Sequence, residues 1–221
     1  MTTRLDLRNL CRRRLGDLTA PYRWSDLQLN QWINDALAEA SLAFPRRLQV
    51  QINTSAGVHA YDLPAGFQAV LAVFYPAGSA APQALEHLAS TEYDFYELPG
   101  RYDVLQAGAC QVLLSDSPQD GESIQVDYLS DHAWLDDDGD ACTLADALLE
   151  LVTLFVRWAS LQELASQEAS DPNPGSIAIS LLEAHAGRAE ATYRQVVLRF
   201  QRATAESARV HWQMDRYDPI Y

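Results

Sequence analysis

The sequence predicts an α+β protein in which a bundle of about four helices, two N-terminal and two long C-terminal, receives an antiparallel β lobe between its halves. Apolar residues recur at steps of three and four towards both ends of the 221-residue chain and at steps of two in its middle. Charge follows the same partition. Residues 1–47 hold eight Arg and five acids, net +3; residues 48–141 hold one Arg and fifteen acids, net −14; residues 142–221 hold seven Arg and ten acids, net −3. The expected organisation is a helical bundle from 1–47 and 142–212, an acidic β-rich insertion over 48–141, and an extended C-terminal tail over 213–221.

Leu5, Leu7, Leu10, Cys11 and Leu15 lie among Arg4, Arg8, Arg12, Arg13 and Arg14, the spacing of an amphipathic first helix that Gly16 stops. Ser25 and Gln28 then form a capping box, because the Ser25 hydroxyl can accept an amide of the first turn while the Gln28 side chain returns to the Ser25 amide. From there Leu29, Trp32, Ile33, Ala36, Leu37 and Ala40 make one buried stripe, closed by Pro45. Leu48, Val50 and Ile52 alternate with Gln49, Gln51 and Asn53 as a first strand. Further strands are expected over 59–64, Phe67–Tyr75, Tyr102–Gln106, Gln111–Ser115 and Ser123–Leu129. Between them Leu85–Tyr96 reads as a short helix or ordered loop whose Tyr93, Phe95 and Tyr96 pack over the sheet.

Past the acidic run Asp136–Asp140, Thr143 is expected to cap a helix with the stripe Leu144, Leu148, Leu151, Phe155, Trp158 and Ala165, ending near Ala169. Pro172 and Pro174 break the chain. A second helix over 176–212 carries Leu182, His185, Ala189, Tyr193, Val196, Phe200, Ala203 and Val210 on one seam, which makes His185 a core or interface residue. At about 1.5 Å per residue that helix is on the order of 50 Å long, more than a small core needs.

The charges and motifs say what chemistry to expect. A net charge of −14, with all 16 bases Arg, opposes binding to phosphate backbones. Cys11, Cys110 and Cys142 are an odd set without paired spacing, so they read as small buried thiols of a reducing compartment. No apolar run suits a membrane span or an export signal, and the chain reads as soluble. Asp136, Asp138 and Asp140 alternate as the first calcium ligands of an EF-hand do, yet Ala141 and Ala147 stand where the turn glycine and bidentate carboxylate belong. The run therefore reads as a solvated acidic loop. His59, His87, His132, His185 and His211 have no metal-site spacing, and no nucleophile elbow, phosphate loop or dinucleotide fingerprint occurs, so no cofactor, metal or catalytic residue is expected. The basic cluster Arg12-Arg13-Arg14 lacks interleaved aromatics and reads as a solvated face or one that meets a partner's acids.

The opening Arg4–Asp17, with its Arg-rich helix ending in Leu15-Gly16-Asp17, is followed by Trp24-Ser25-Asp26 and by Ile33-Asn34-Asp35-Ala36. This resembles the start of the head-to-tail adaptor (connector) proteins of tailed bacteriophages. Tyr61-Asp62-Leu63-Pro64, Tyr102-Asp103-Val104 and Leu144–Ala165 are similar to later parts of that family. The resemblance implies a structural virion protein without an active site. It implies a ring of about twelve copies beneath the portal, extending the DNA channel, with DNA passing through unread. Its partners would be the portal protein, a tail or stopper protein and copies of itself, assembled in the host cytoplasm and carried in the virion, with no membrane contact. The family docks on the portal through its C-terminal segment, which here places His211, Trp212, Met214, Arg216, Tyr217, Pro219, Ile220 and Tyr221 at that contact. The aromatic residues suit such anchoring. The residues by themselves also fit a non-phage binding or regulatory module, or an enzyme with a dispersed site.

Overall fold

The computed structural model describes residues 1–79, 82–107, 109–170 and 176–214, with side chains over the same residues except 107, 176 and 205–214. The chain divides into two compact units: Met1–Phe44 with the chain from His132 onward, and Pro45–Asp131. The acidic run at 136–140 thus belongs to the helical unit, whereas charge alone assigned it to the β insertion.

In the helical unit, α1 (Arg4–Leu15) starts at Thr3, whose side chain accepts the Asp6 amide while Asp6 returns to Thr3. It stops at Gly16, whose φ of 72° lies where only glycine rests easily. The Gly16 and Asp17 amides return to the Arg13 and Arg12 carbonyls and close the helix with a Schellman motif. The expected capping box opens α2 (Asp26–Ala43), with the Gln28 amide 3.2 Å from Ser25 Oγ and the Ser25 amide 3.1 Å from Gln28 Oε1. Leu29, Ile33, Ala36, Leu37 and Ala40 of its stripe are buried, and Trp32 is half-buried. They join Leu7, Cys11, Trp24, Leu135, Cys142, Leu144, Val152 and Val156 in one core.

The third helix, α3 (Leu149–Ala169), begins later than expected, after a short 3-10 turn at Asp146–Leu148. Thr143 does not cap it, because its hydroxyl lies 2.9 Å from His132 Nδ1 and accepts the Ala133 amide. The last helix, α4 (Ser176–Met214), runs antiparallel to α3, with Tyr193 edge-on to Phe155 and stacked with Trp158, and Arg199 beside Glu150. Only a narrow stripe of α4 is covered. Ala186 and Tyr193 are buried, Leu182, Ala189, Val196 and Phe200 are half-buried, and His185 and Ala203 are exposed. His185 is therefore a flank residue, since α4 lies against α3 along the Ala186–Tyr193 line. About 20 Å of α4, from Phe200 to Met214, continues past the first turn of α3 at ~1.5 Å per residue.

The β unit holds two four-stranded sheets, one ordered β1-β8-β3-β4 and the other β2-β7-β6-β5. The strands are β1 (Arg46–Asn53), β2 (Ala60–Asp62), β3 (Phe67–Tyr75), β4 (Gln83–Ala84), β5 (Glu86–His87), β6 (Arg101–Ala107), β7 (Ala109–Leu114) and β8 (Ser123–Ser130). The lobe is not wholly antiparallel, because β5 pairs with β6 in parallel. β8 is central to its sheet, setting Tyr128, Val126 and Ile124 against Leu48, Val50 and Ile52 of β1. Val73, Ile124, Val126 and Tyr128 from this sheet and Tyr61, Tyr102, Val112 and Leu114 from the other form a single core, so the lobe is a small sandwich. Gly66, at φ 76°, turns the chain into β3 so close to β8 that an added Cβ would meet Ser130 Oγ at 3.3 Å.

Ile124 is fully buried at the centre of this sandwich. Ile124→Ala should lower stability by about 2–5 kcal/mol through lost burial and a residual cavity, read from the urea midpoint at constant m-value.

Candidate functional site

The residues that carry the sequence motif meet on one face of α1. Arg4, Arg8 and Arg12 are spaced by four and share that face, so their guanidinium groups stack along it as a ladder. Arg8 and Arg12 are buried, unlike Arg13 and Arg14, which are exposed. The cluster at 12–14 is thus two solvated cations and one buried cation, and the buried one pairs with acids of its own chain rather than a partner's.

A buried guanidinium is tolerated only when its N–H groups all find acceptors. The motif supplies them. Arg12 donates to Asp17 Oδ2 at 2.7 Å, to Asp26 Oδ1 at 2.6 Å and to the Trp24 carbonyl at 3.0 Å, and its charge lies 3.9 Å from the centre of the Tyr22 ring. Gly16 makes this possible by turning the chain so that Asp17 folds back on the helix it follows. Asp17 also accepts the Arg23 and Trp24 amides, fixing the loop before α2. In Trp24-Ser25-Asp26 the tryptophan fills the core, the serine caps the helix and the aspartate holds Arg12.

The other end of the ladder reaches 130 residues along the chain. Arg8 forms a fork with both oxygens of Asp138, at 2.8 and 2.7 Å, and also donates to Asn30 Oδ1. Arg4 donates to the same Asp138 oxygen and to the Leu135 carbonyl. Hydrogen bonds from Arg8 first, then from Arg4, hold the Asp138 carboxyl below the ordinary aspartate pKa, and the Asp138 bond in turn raises Arg8. Asp140 accepts the Asp136 and Asp137 amides, while the Asp140 and Asp138 carbonyls accept the first amides of α1. The run at 136–140 is a bonded clasp rather than a solvated loop.

Asn34, from the motif Ile33-Asn34-Asp35-Ala36, completes the clasp. It is buried and binds the Leu135 backbone twice, accepting the amide at 3.0 Å and donating to the carbonyl at 3.1 Å. His132 Nε2 donates to the Phe44 carbonyl beside it. Within the clasp Arg4, Arg8, Arg12, Asn34, Asp138 and Asp140 are all bonded to groups of the same chain. Burial pushes the Cys11 thiol up to about 12 and raises Cys142, so neither is a nucleophile at neutral pH. No group of His, Cys, Asp and Glu among the described residues is arranged to hold a metal.

One groove, with a volume of ≈ 350 Å³, lies between α2 and α4 and is lined by Leu42, Tyr193, Arg194, Val197 and Leu198 among others. Leu42 and Leu198 stand 75% and 52% exposed on it, and the buried Tyr193 hydroxyl is pushed up to about 12 by its burial. A second groove, ≈ 260 Å³, separates α3 from α4 and is lined by Leu154, Arg157, Leu161, His185, Arg188 and Thr192 with Ala189. Of the residues expected at a docking tail, His211, Trp212 and Met214 lie within α4, two residues of which extend the helix past 212. Arg216, Tyr217, Pro219, Ile220 and Tyr221 lie outside the described residues. Sequence periodicity missed the two grooves because each is lined by residues of two different helices.

Across residues 2–213 the chain matches the family model described as SU10 adaptor protein. No curated protein matches it.

Two outcomes test the ladder. Arg12→Ala should cost about 3 kcal/mol by urea unfolding, because Asp17 is left buried without its cation, whereas Arg13→Ala should change stability by less than about 0.5 kcal/mol. Lowered pKa values mean that Asp138 stabilises the fold above the ordinary aspartate pKa and that this contribution is lost as pH falls through the folded value. Asp138→Asn should therefore be less stable than wild type at pH 7 and lose less on acidification below about pH 4, measured as the urea midpoint against pH.

Proposed function

The chain belongs to the SU10 adaptor protein family, and from that membership we propose that it forms a ring under the phage portal that extends the DNA channel and joins head to tail. A phage adaptor protein is a structural component of the virion, and no described helix is long and apolar enough to cross a membrane. The observation that carries the reading is the extent of the family match, which takes in both helical halves and the whole β insertion. Two physical features support it. The helical ends fold on a clasp that leaves α4 with a mostly uncovered surface, as expected of a subunit built to be packed against. The β unit, Pro45–Asp131, contains three Arg and eleven acids, a charge that discourages DNA from adhering to a wall made of it.

In this reading the partners are further copies of the chain, in a ring of about twelve, the portal protein above and a tail or stopper protein below. The C-terminal segment 211–221 docks on the portal, anchored by its aromatic residues, and DNA passes without sequence-specific contacts.

Mixing the protein with its portal should add a ring visible by electron microscopy, and a portal that stays bare contradicts the proposal. Deleting 211–221 should leave the thermal unfolding transition unchanged and reduce portal attachment at least about tenfold, a loss of the size that removing a few anchor residues produces.

A further inference from the structure

The 89–100 segment of the β unit is the most exposed ordered stretch of that unit. Every residue from Thr91 to Pro99 is exposed except Phe95, which is fully buried. Tyr93 and Tyr96 are 86% and 62% exposed, although both were expected to cover the sheet. Only Phe95 does so. It pins the centre of the loop, and the side chains on either side of it must then face outward.

The loop is held rather than loose. Its amides from Glu92, Phe95, Glu97 and Leu98 bond to carbonyls within the loop, at 2.9 to 3.2 Å. The Ser90 amide donates to Asp103 at 2.7 Å and the Gly100 amide to Asp116 at 2.9 Å, which ties both ends to the sheet. The Tyr96 ring leans edge-on against Phe95 and His59. The bonded loop backbone and the packed Tyr96 ring leave less to order on binding. Interleaved with them are Glu92, Asp94 and Glu97, none of which has a cationic partner among the described residues.

The complement is present in the helical unit. The α3–α4 groove carries Arg157, Arg188 and His185 on its walls and no acid, and Arg157 and Arg188 form no ion pair among the described residues. Leu154 and Leu161 give it an apolar floor, and Thr192 closes one end. Such a site takes an aromatic ring flanked by carboxylates, the ring lying on the leucines under the guanidinium groups while the acids pair with them.

Resting on the ring reading, the geometry points to a contact between copies in which the Glu92–Glu97 loop of one chain seats in the α3–α4 groove of the next, with Tyr93 as its anchor. The two surfaces are different patches of one chain, so the contact is heterologous and repeats head to tail, the arrangement that closes a ring. Charge sets the register. Three carboxylates meet two arginines and a histidine, and the acidic loop is repelled by the acidic β unit of any copy approaching in another orientation.

The test uses the full-length chain, with Cys110→Ser throughout because Cys110 is the one thiol not buried. Thr91→Cys and Gln195→Cys variants, exposed positions beside the loop's anchor and beside the groove, are mixed and treated with a short bis-maleimide, and portal rings are imaged in parallel. The mixed pair should give a cross-linked dimer that neither variant gives alone. Asp94→Arg with Glu97→Arg, and separately Arg157→Glu with Arg188→Glu, should each reduce ring-bearing portals and cross-linking at least about tenfold, and the four changes together should restore both. All are surface positions, and unchanged thermal unfolding confirms that each variant folds. Rings that form at wild-type level in the reversed variants, without the cross-link, overturn the contact and leave the ring reading standing. A cross-link without any ring on the portal overturns the ring reading and keeps the contact, and absence of both overturns both.

Discussion

Three guanidinium groups on one face of the first helix set the terms for the helical unit. Arginine does not give up its charge, so burying Arg8 and Arg12 is costly until every N–H is matched. The matching acids come from three places: Asp17 just after α1, Asp26 at the start of α2, and Asp138 beyond the β insertion. Once these pairs form, the angle at which α2 leaves the turn, the seat of Trp24 and the path of residues 134–142 are all constrained. The same return segment satisfies the first amides of α1 through its carbonyls and is gripped from the other side by Asn34. The ladder therefore closes the chain on itself across a whole inserted domain.

That closure gives the short sequence motifs their structural roles. Leu15-Gly16-Asp17 is a helix stop that aims an acid backwards, Trp24-Ser25-Asp26 is a core plug, a cap and a second acid, and Asn34 is a backbone clamp. Each residue type is needed for its geometry. Glycine rests easily at φ 72°, Asp17 reaches Arg12 at 2.7 Å, and the Asn34 amide both donates to and accepts from the Leu135 backbone.

Much of the fold was legible because its signals are local. Capping residues bracket α2, alternation marks β1, and Phe67–Tyr75 is a strand with the expected ends. The misreadings have a common cause in that they depend on partners remote in sequence. Hydrophobic periodicity counts Arg8 and Arg12 as solvent-facing, and it takes Asp138 for Arg8, and Asp17 with Asp26 for Arg12, to make them interior. Thr143 has the right chemistry for a cap, yet its hydroxyl is claimed by His132 and Ala133 ten or more residues earlier. Tyr93, Phe95 and Tyr96 look alike in composition, and the single buried ring forces the other two outward. Of the candidate site, the length of α4 was foreseeable from its long apolar seam, but each groove beside it is lined by residues of two helices, which no linear pattern encodes.

The dependence of the helical unit on this ladder is read most directly by amide hydrogen exchange on Arg8→Gln. The account predicts that protection falls together in α1 and in residues 134–142, while the amides of β8, in a core of their own, exchange as in wild type. Full protection of 134–142 in that variant would show that the clasp stands without the arginine, and would contradict the account.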